Sequence, residues 1–247
     1  MRQEQNIAYH PSFPELMLDA YLPEKGCRGT LVFFHGGGLE AGSREGLDVP
    51  DVARLTDAGF AVVKPDYRMY PAAKFPDFVE DAAAAVAWAK RHAARWQGER
   101  LFVGGSSAGG YLSQMLCFDG RYLAAQGLSP LEIQGWIFDA GQPTVHYNIL
   151  KERGIDPLAV RIDEAAPLYF VGPDPGLAPM LIFAAERDMP GRLMQNRLLI
   201  DVMENFGYPE EQHHFVYMEG WNHCEYNGHA CYDDEILRFL ERVAEGR

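Results

Sequence analysis

The stretch Arg100–Leu116, "RLFVGGSSAGGYLSQML", joins a short apolar run to a segment of helical character through a cluster of small residues. Within it, Gly105-Ser106-Ser107-Ala108-Gly109 forms a G-x-S-x-G at the junction. A nucleophile elbow requires that placement, because small flanking residues permit a turn tight enough to push the central serine Oγ out at the top of a sheet. The central residue is Ser107, since Ser106 would need glycine at 108, where Ala108 stands. With six serines and glycine at about one position in ten, such a match arises by accident about 0.06 times per chain of this composition, before any demand for strand-to-helix placement.

Outward from this junction, short β-branched and aromatic runs alternate with longer helical patterns. The runs "TLVFFH" (30–35), "FAVVKPDY" (60–67), "RLFVGGS" (100–106), "GWIFDA" (135–140), "MLIFAAE" (180–186) and "HHFVYME" (213–219) read as continuous apolar strands, buried on both faces. Between them, "DAAAAVAWAKRHAARW" (81–96) and "RLMQNRLLIDVMENFG" (192–207) read as helices, the second stopped by Gly207. In "DDEILRFLERVAEG", Ile236, Leu240 and Val243 recur at helical spacing, which docks one face on the sheet. This alternation predicts one α/β domain over residues 1–247, a mostly parallel central sheet flanked by helices on both faces. The more alternating "ELMLDAYLP" (15–23) adds an antiparallel edge hairpin. The exception is 141–179, long, rich in proline and glycine and without clear period, which is a candidate lid or substrate wall.

A serine hydroxyl is a poor nucleophile until a base takes its proton, and the usual base is a histidine oriented by a buried carboxylate. With this elbow the partners follow in the chain order serine, acid, histidine, each on a loop after a core strand. Asp188 lies just past "MLIFAAE" and His223 just past "HHFVYME", so Ser107, Asp188 and His223 are the candidate catalytic residues. Glu186 competes with Asp188 from nearer the strand's end, and Asp139, after an earlier strand, is a smaller competitor. His229 is the second choice of base, while His213 and His214 fall inside a strand pattern.

The segment "HGGG" (35–38) follows the first core strand. Each glycine costs about 0.5–1 kcal/mol relative to alanine in regular structure, so three in a row imply that bare backbone must approach something closely. Attack by Ser107 creates an oxyanion that needs preset N–H donors. The amides of Gly36 and Gly37, with that of Ala108 after the nucleophile, are the candidate oxyanion hole.

At 247 residues and 47% hydrophobic content the chain can bury a large core. The formal net charge of −13 repels phosphate backbones and anionic membranes, so neither nucleic acid nor membrane is expected as a partner. No stretch reads as a secretion signal or a membrane span. The four cysteines lack the density of a disulfide scaffold, which fits a reducing, cytoplasmic compartment. Cys224 and Cys231 with His223 and His229 lack the second ligand pair of a zinc site, so no metal is assigned. No cofactor is implied either, since serine, histidine and aspartate complete acyl transfer alone. Oligomeric state is not readable from the sequence.

Taken together, "HGGGLEAGS" (35–43), "DYRMYP" (66–71) with "FPDFVEDAAAAVAW" (75–88), "GGSSAGG" (104–110), "ERD" (186–188) and "GWNH" (220–223) resemble the α/β-hydrolase fold esterases of the feruloyl/acetyl-xylan-esterase-like and hormone-sensitive-lipase-like groups. The resemblance runs from about residue 15 to the end. It implies the α/β-hydrolase fold and an ester hydrolase, with Asp66 and Arg68 holding the loop near the glycine turn. The chain lacks the long N-terminal helical cap of the lipase-like members, and its "DYRMYP" departs from their D-Y-R-L-A-P. Both departures point to the compact carbohydrate-esterase-like group with a minimal cap. The expected substrate is a small-molecule ester of acetyl or cinnamoyl type, carried on a sugar. A related set hydrolyses formylkynurenine, so an arylformamidase is the alternative, and a non-catalytic binding protein of the same fold is a third reading. Tyr147, Tyr169, Phe170 and Trp221 are candidates for stacking on a sugar or an aromatic acid, or for core packing.

Overall fold

The computed structural model describes residues 1–46 and 50–246. Eight strands form one sheet: β1 (Arg2–Ala8), β2 (Met17–Leu22), β3 (Gly29–Phe34), β4 (Phe60–Pro65), β5 (Leu101–Ser106), β6 (Gly135–Asp139), β7 (Met180–Arg187) and β8 (His213–Asn222). Their spatial order is β1-β2-β4-β3-β5-β6-β7-β8. The first two strands pair antiparallel, β2 also runs antiparallel to β4, and every later pairing is parallel. This is the α/β-hydrolase fold, with β5 at the sheet centre.

The helices are α1 (Val52–Asp57), α2 (Asp77–His92), α3 (Ala108–Phe118), α4 (Gly120–Ala125), α5 (Tyr147–Glu152), α6 (Arg192–Asn205) and α7 (Ala230–Ala244). Strand side chains alternate between two cores, as a period of two requires. Val32, Phe34, Val63, Val103, Phe138 and Ile182 face α2, α3 and α6. On the opposite face Leu31, Phe33, Val62, Phe102, Ile137 and Phe183 meet α1 and α7, where Ile236 and Leu240 are fully buried. No helix among the described residues is long and apolar enough to cross a membrane.

Three expectations need correction. The last strand is not buried on both faces: β8 is the sheet edge, paired only with β7, and most of its residues are partly or wholly exposed. The alanine-rich helix begins at Asp77, four residues earlier than its alanine run, because Pro76 precedes it and cannot sit in a helix interior. Asp77 and Glu80 in its first turn and Lys90, Arg91 and His92 in its last complement the helix dipole. The antiparallel edge includes β1, whose polar "RQEQNIA" carries no apolar signal.

The elbow glycines are explained by packing. A Cβ on Gly109 would lie 2.1 Å from the Phe34 carbonyl oxygen and 2.8 Å from that of His35, so α3 seats directly against the end of β3. Both are backbone atoms and cannot swing aside. Gly109→Ala is therefore expected to destabilise the fold by about 3 kcal/mol, since overpacking against rigid neighbours costs at the upper end of its range. Denaturant titration of the purified variant checks this.

Candidate active site

Ser107 sits between β5 and α3 at φ +53° and ψ −110°, a conformation that L-residues rarely adopt. Its N–H donates to the Asp139 carbonyl at 2.7 Å, which fixes the turn against the end of β6. His223 Nε2 lies 2.8 Å from Ser107 Oγ, and Nδ1 lies 2.5 Å from Asp188 Oδ1. A carboxylate only accepts, so Nδ1 carries the proton there, leaving Nε2 a lone pair for the serine hydroxyl. The Asp188 side chain is 1% exposed and that of His223 is 22% exposed. Oδ1 of Asp188 also accepts from the Met189 N–H at 2.7 Å and Oδ2 from the Ala185 N–H at 3.3 Å. The sequence thus brings a hydroxyl, an imidazole and a buried carboxylate into one hydrogen-bonded line, the geometry needed for nucleophilic acyl transfer.

The competitors are placed elsewhere. Glu186 is exposed and accepts from the Gly220 N–H at 2.7 Å. His229 precedes α7 and packs its ring 4.7 Å from that of Trp221. His213 is buried at the start of β8, whereas His214 lies 3.8 Å from Glu235 on the surface. Asp139 is fully buried and accepts from the hydroxyls of Tyr226 at 2.5 Å and Tyr232 at 3.1 Å. Burial raises its pKa, opposed by those donors.

Asp139 belongs to a polar cluster behind Ser107 that sequence reading did not anticipate. Asn227 Nδ2 donates to Ser106 Oγ at 2.9 Å, and Ser106 Oγ donates to Cys224 Sγ at 3.2 Å. Cys224, directly after His223, adopts φ +58°. These contacts tie the loop that carries His223 to the ends of β5 and β6. No short-range sequence pattern marks them, because the partners are separated by about a hundred residues.

The glycine turn follows β3, whose Phe34 pairs with Gly105 of β5, so the turn and the elbow are neighbours. Gly37 and Gly38 adopt φ +110° and +66°. A Cβ on Gly37 would lie 1.9 Å from the Ala41 carbonyl oxygen, and one on Gly38 would lie 1.9 Å from the Tyr147 hydroxyl. Two of the three glycines therefore have conformational and steric causes beyond exposing an amide. The turn is braced by Tyr67, whose hydroxyl donates to the His35 carbonyl at 3.0 Å and whose ring stacks on His35 at 4.4 Å. Ala108 opens α3, and first-turn N–H groups have no acceptor within their own helix.

In "DYR", Asp66 accepts from the Arg44 backbone N–H at 2.7 Å and pairs with the Arg44 guanidinium, which ties down the chain after the glycine turn. Arg68 instead forks onto Asp81 of α2 at 2.8 Å and lies over the Phe13 ring. Of these three residues, Tyr67 touches the turn itself, and Asp66 holds the chain just after it.

The 141–179 segment holds α5 and a short 3₁₀ turn at Pro167–Phe170. It crosses the glycine turn: Tyr147 meets Gly38, and Lys151 pairs with Glu40 at 2.9 Å. Tyr169 and Phe170 pack edge to face with each other at 5.1 Å, and Tyr169 is exposed.

Residues 18–126 match the BD-FAE family model. Carboxylic ester hydrolase LipN of Mycobacterium tuberculosis is 42% identical over 118 residues, which are 45% of this chain and 31% of that protein. The chain thus spans about a third of that curated relative's length. Among solved structures, Thermogutta terrifontis esterase 2 phosphonylated by sarin superposes with a TM-score of 0.77 at 23% identity, over 98% of this chain and 92% of that one. A truncated form of carbohydrate esterase from gut microbiota superposes at 0.80 with 20% identity, over 99% and 97%. By fold and by the matched segment, the chain is an α/β-hydrolase-fold protein that resembles the esterases of that fold.

Proposed function

We propose that the protein is a serine carboxylic ester hydrolase that removes small acyl groups, of acetyl or cinnamoyl type, from carbohydrate esters. The observation that carries this reading is the unbroken line from Asp188 through His223 to Ser107 Oγ. His223 Nε2 takes the hydroxyl proton as Oγ attacks the ester carbonyl, and the amides of Gly36, Gly37 and Ala108 receive the oxyanion. Asp188 stabilises the imidazolium so formed. Collapse of the tetrahedral intermediate expels the alcohol, protonated by His223, and leaves the acyl group on Ser107. Water, activated by the same imidazole, then attacks the acyl-enzyme and releases the acid. No metal or cofactor takes part in these steps.

The sugar part of the reading is supported by likeness to a carbohydrate esterase. The 141–179 segment, clasped to the glycine turn through Tyr147 and Lys151, serves as the substrate wall. A cytoplasmic setting belongs to the same reading, supported by four unpaired cysteines.

The test is kcat/KM across acetylated xylo-oligosaccharide, methyl ferulate, an aryl butyrate and N-formylkynurenine. The acylated sugar is expected to lead. Preference for N-formylkynurenine would keep the catalytic residues and replace ester by amide cleavage. A serine-reactive phosphonate is expected to add one group at Ser107, and failure to label it would remove the enzyme reading.

A further inference from the structure

Beside the Asp188 turn lies a cavity of about 110 Å³ that the steps above leave unused. Its lining mixes apolar Leu158, Met189 and Pro190 with polar Gln142, Arg192 and Gln195. Tyr147, which meets Gly38 of the proposed oxyanion turn, also lines it. The lining thus begins one residue from Asp188, at Met189, and reaches Gly38 through Tyr147.

Arg192 is the unusual member. At 2% exposure it is as buried as a core residue, yet its hydrogen bonds go to neutral acceptors. The guanidinium donates to the Ala140 carbonyl at 2.5 Å, the Gln142 amide oxygen at 3.0 Å and the Met189 sulfur at 3.8 Å. Among the described residues no carboxylate forms an ion pair with it. Asp188 is the acid whose charge acts on it most, but the oxygens of Asp188 already receive three donors. Arg44 and Arg68, which are more exposed, each pair with an aspartate. A buried cation without an anion is costly, and burial pushes the pKa of Arg192 below the ordinary arginine value. Gln195 adds a second unmet group, since its buried Oε1 has no partner among the described residues. Turned by half a revolution, that amide offers an N–H instead.

We propose that this cavity is an anion subsite, in which Arg192 receives a carboxylate borne by the part of the substrate that does not react. The inference rests on the ester-hydrolase reading of Ser107 and narrows its substrate to an acid-bearing ester. A cavity of this size holds a carboxylate and one or two carbons. The apolar lining covers those carbons while a remaining guanidinium N–H meets the carboxylate.

Two matched pairs test the proposal and identify which side of the ester carries the acid. For the acyl side, p-nitrophenyl hemisuccinate is compared with p-nitrophenyl butyrate. For the alcohol side, 4-acetoxybenzoate is compared with its methyl ester. One pair is expected to favour the anion by about tenfold or more in kcat/KM, the scale of one charge-assisted hydrogen bond. Gln195→Glu, at a half-buried position, supplies an internal carboxylate to Arg192 and is expected to abolish that preference; Arg192→Gln is expected to do the same. No preference in either pair, or a ratio unchanged in the folded variants, overturns the subsite. If none of the four esters is turned over, the hydrolase reading itself fails. The subsite is then decided by thermal shift: succinate is expected to stabilise the wild-type protein and not Gln195→Glu, and equal shifts overturn it.

Discussion

Ser107→Ala is expected to lower kcat on a neutral aryl ester by about a million-fold, because removing the nucleophile from a coupled serine, histidine and aspartate unit costs about as much as removing all three. The expectation follows from the 2.8 Å contact between Ser107 Oγ and His223 Nε2. No neighbouring hydroxyl can replace it. Ser106 is fully buried, and its Oγ is engaged by Asn227 and Cys224, so the adjacent serine points into the protein and not into the site. Residual turnover above the uncatalysed rate is expected from the oxyanion donors alone. A drop smaller than about a hundredfold would mean that chemistry runs through another group, since even one oxyanion donor is worth that much elsewhere. Stability separates loss of chemistry from loss of fold. Ser107 is held at φ +53°, where glycine is unstrained, so Ser107→Gly is expected to be about 1 kcal/mol more stable than Ser107→Ala. Both should lose activity alike.

How much of this was legible in the sequence depended on how local the cause was. The elbow was readable because its constraint is confined to five residues: Gly105 and Gly109 crowd each other, with a Cβ on Gly105 lying 2.4 Å from the Gly109 carbonyl carbon. Central strands were readable because burial on both faces demands continuous apolar runs. The edges were not: β1 is polar and exposed, and β8 reads as apolar at its start but has only one neighbour. Chain order pointed to Asp188 and His223, which lie in line with Ser107. The reason His223 stays in place was not legible, because Tyr226, Asn227 and Cys224 act through partners more than eighty residues away. Tyr67 was overlooked for a different reason: flanked by two charged residues, it is the one that stacks on His35 and holds its carbonyl. Arg192 gave no signal at all, since an arginine at the start of an amphipathic helix ordinarily faces solvent.

The second large effect concerns the acid. Asp188→Asn is expected to reduce kcat by about 10⁴-fold, the loss seen when such a carboxylate becomes an amide in a comparable site. The geometry accounts for the size of this loss. Asp188 receives three donors: His223 Nδ1 and the Met189 N–H on Oδ1, and the Ala185 N–H on Oδ2. An asparagine has one oxygen to offer. If that oxygen keeps His223 and Met189, the amide N–H₂ faces the Ala185 N–H, donor against donor in a site 1% exposed. If the amide turns over, its N–H₂ faces Nδ1, and the imidazole must move its proton to Nε2. The nitrogen next to Ser107 Oγ then has no lone pair to receive the hydroxyl proton. Either arrangement also lacks the charge that stabilises the imidazolium in the transition state. Glu186→Gln is the matching control. Glu186 is exposed and its Oε2 serves only the Gly220 N–H, a bond the glutamine oxygen can retain, so activity is expected within about twofold, as for other surface changes. Single-turnover release of an aryl alcohol measures both variants on the same substrate. If Glu186→Gln were the crippled protein and Asp188→Asn the active one, the proton relay would have to run through the exposed end of β7, and the acid assignment would pass to Glu186.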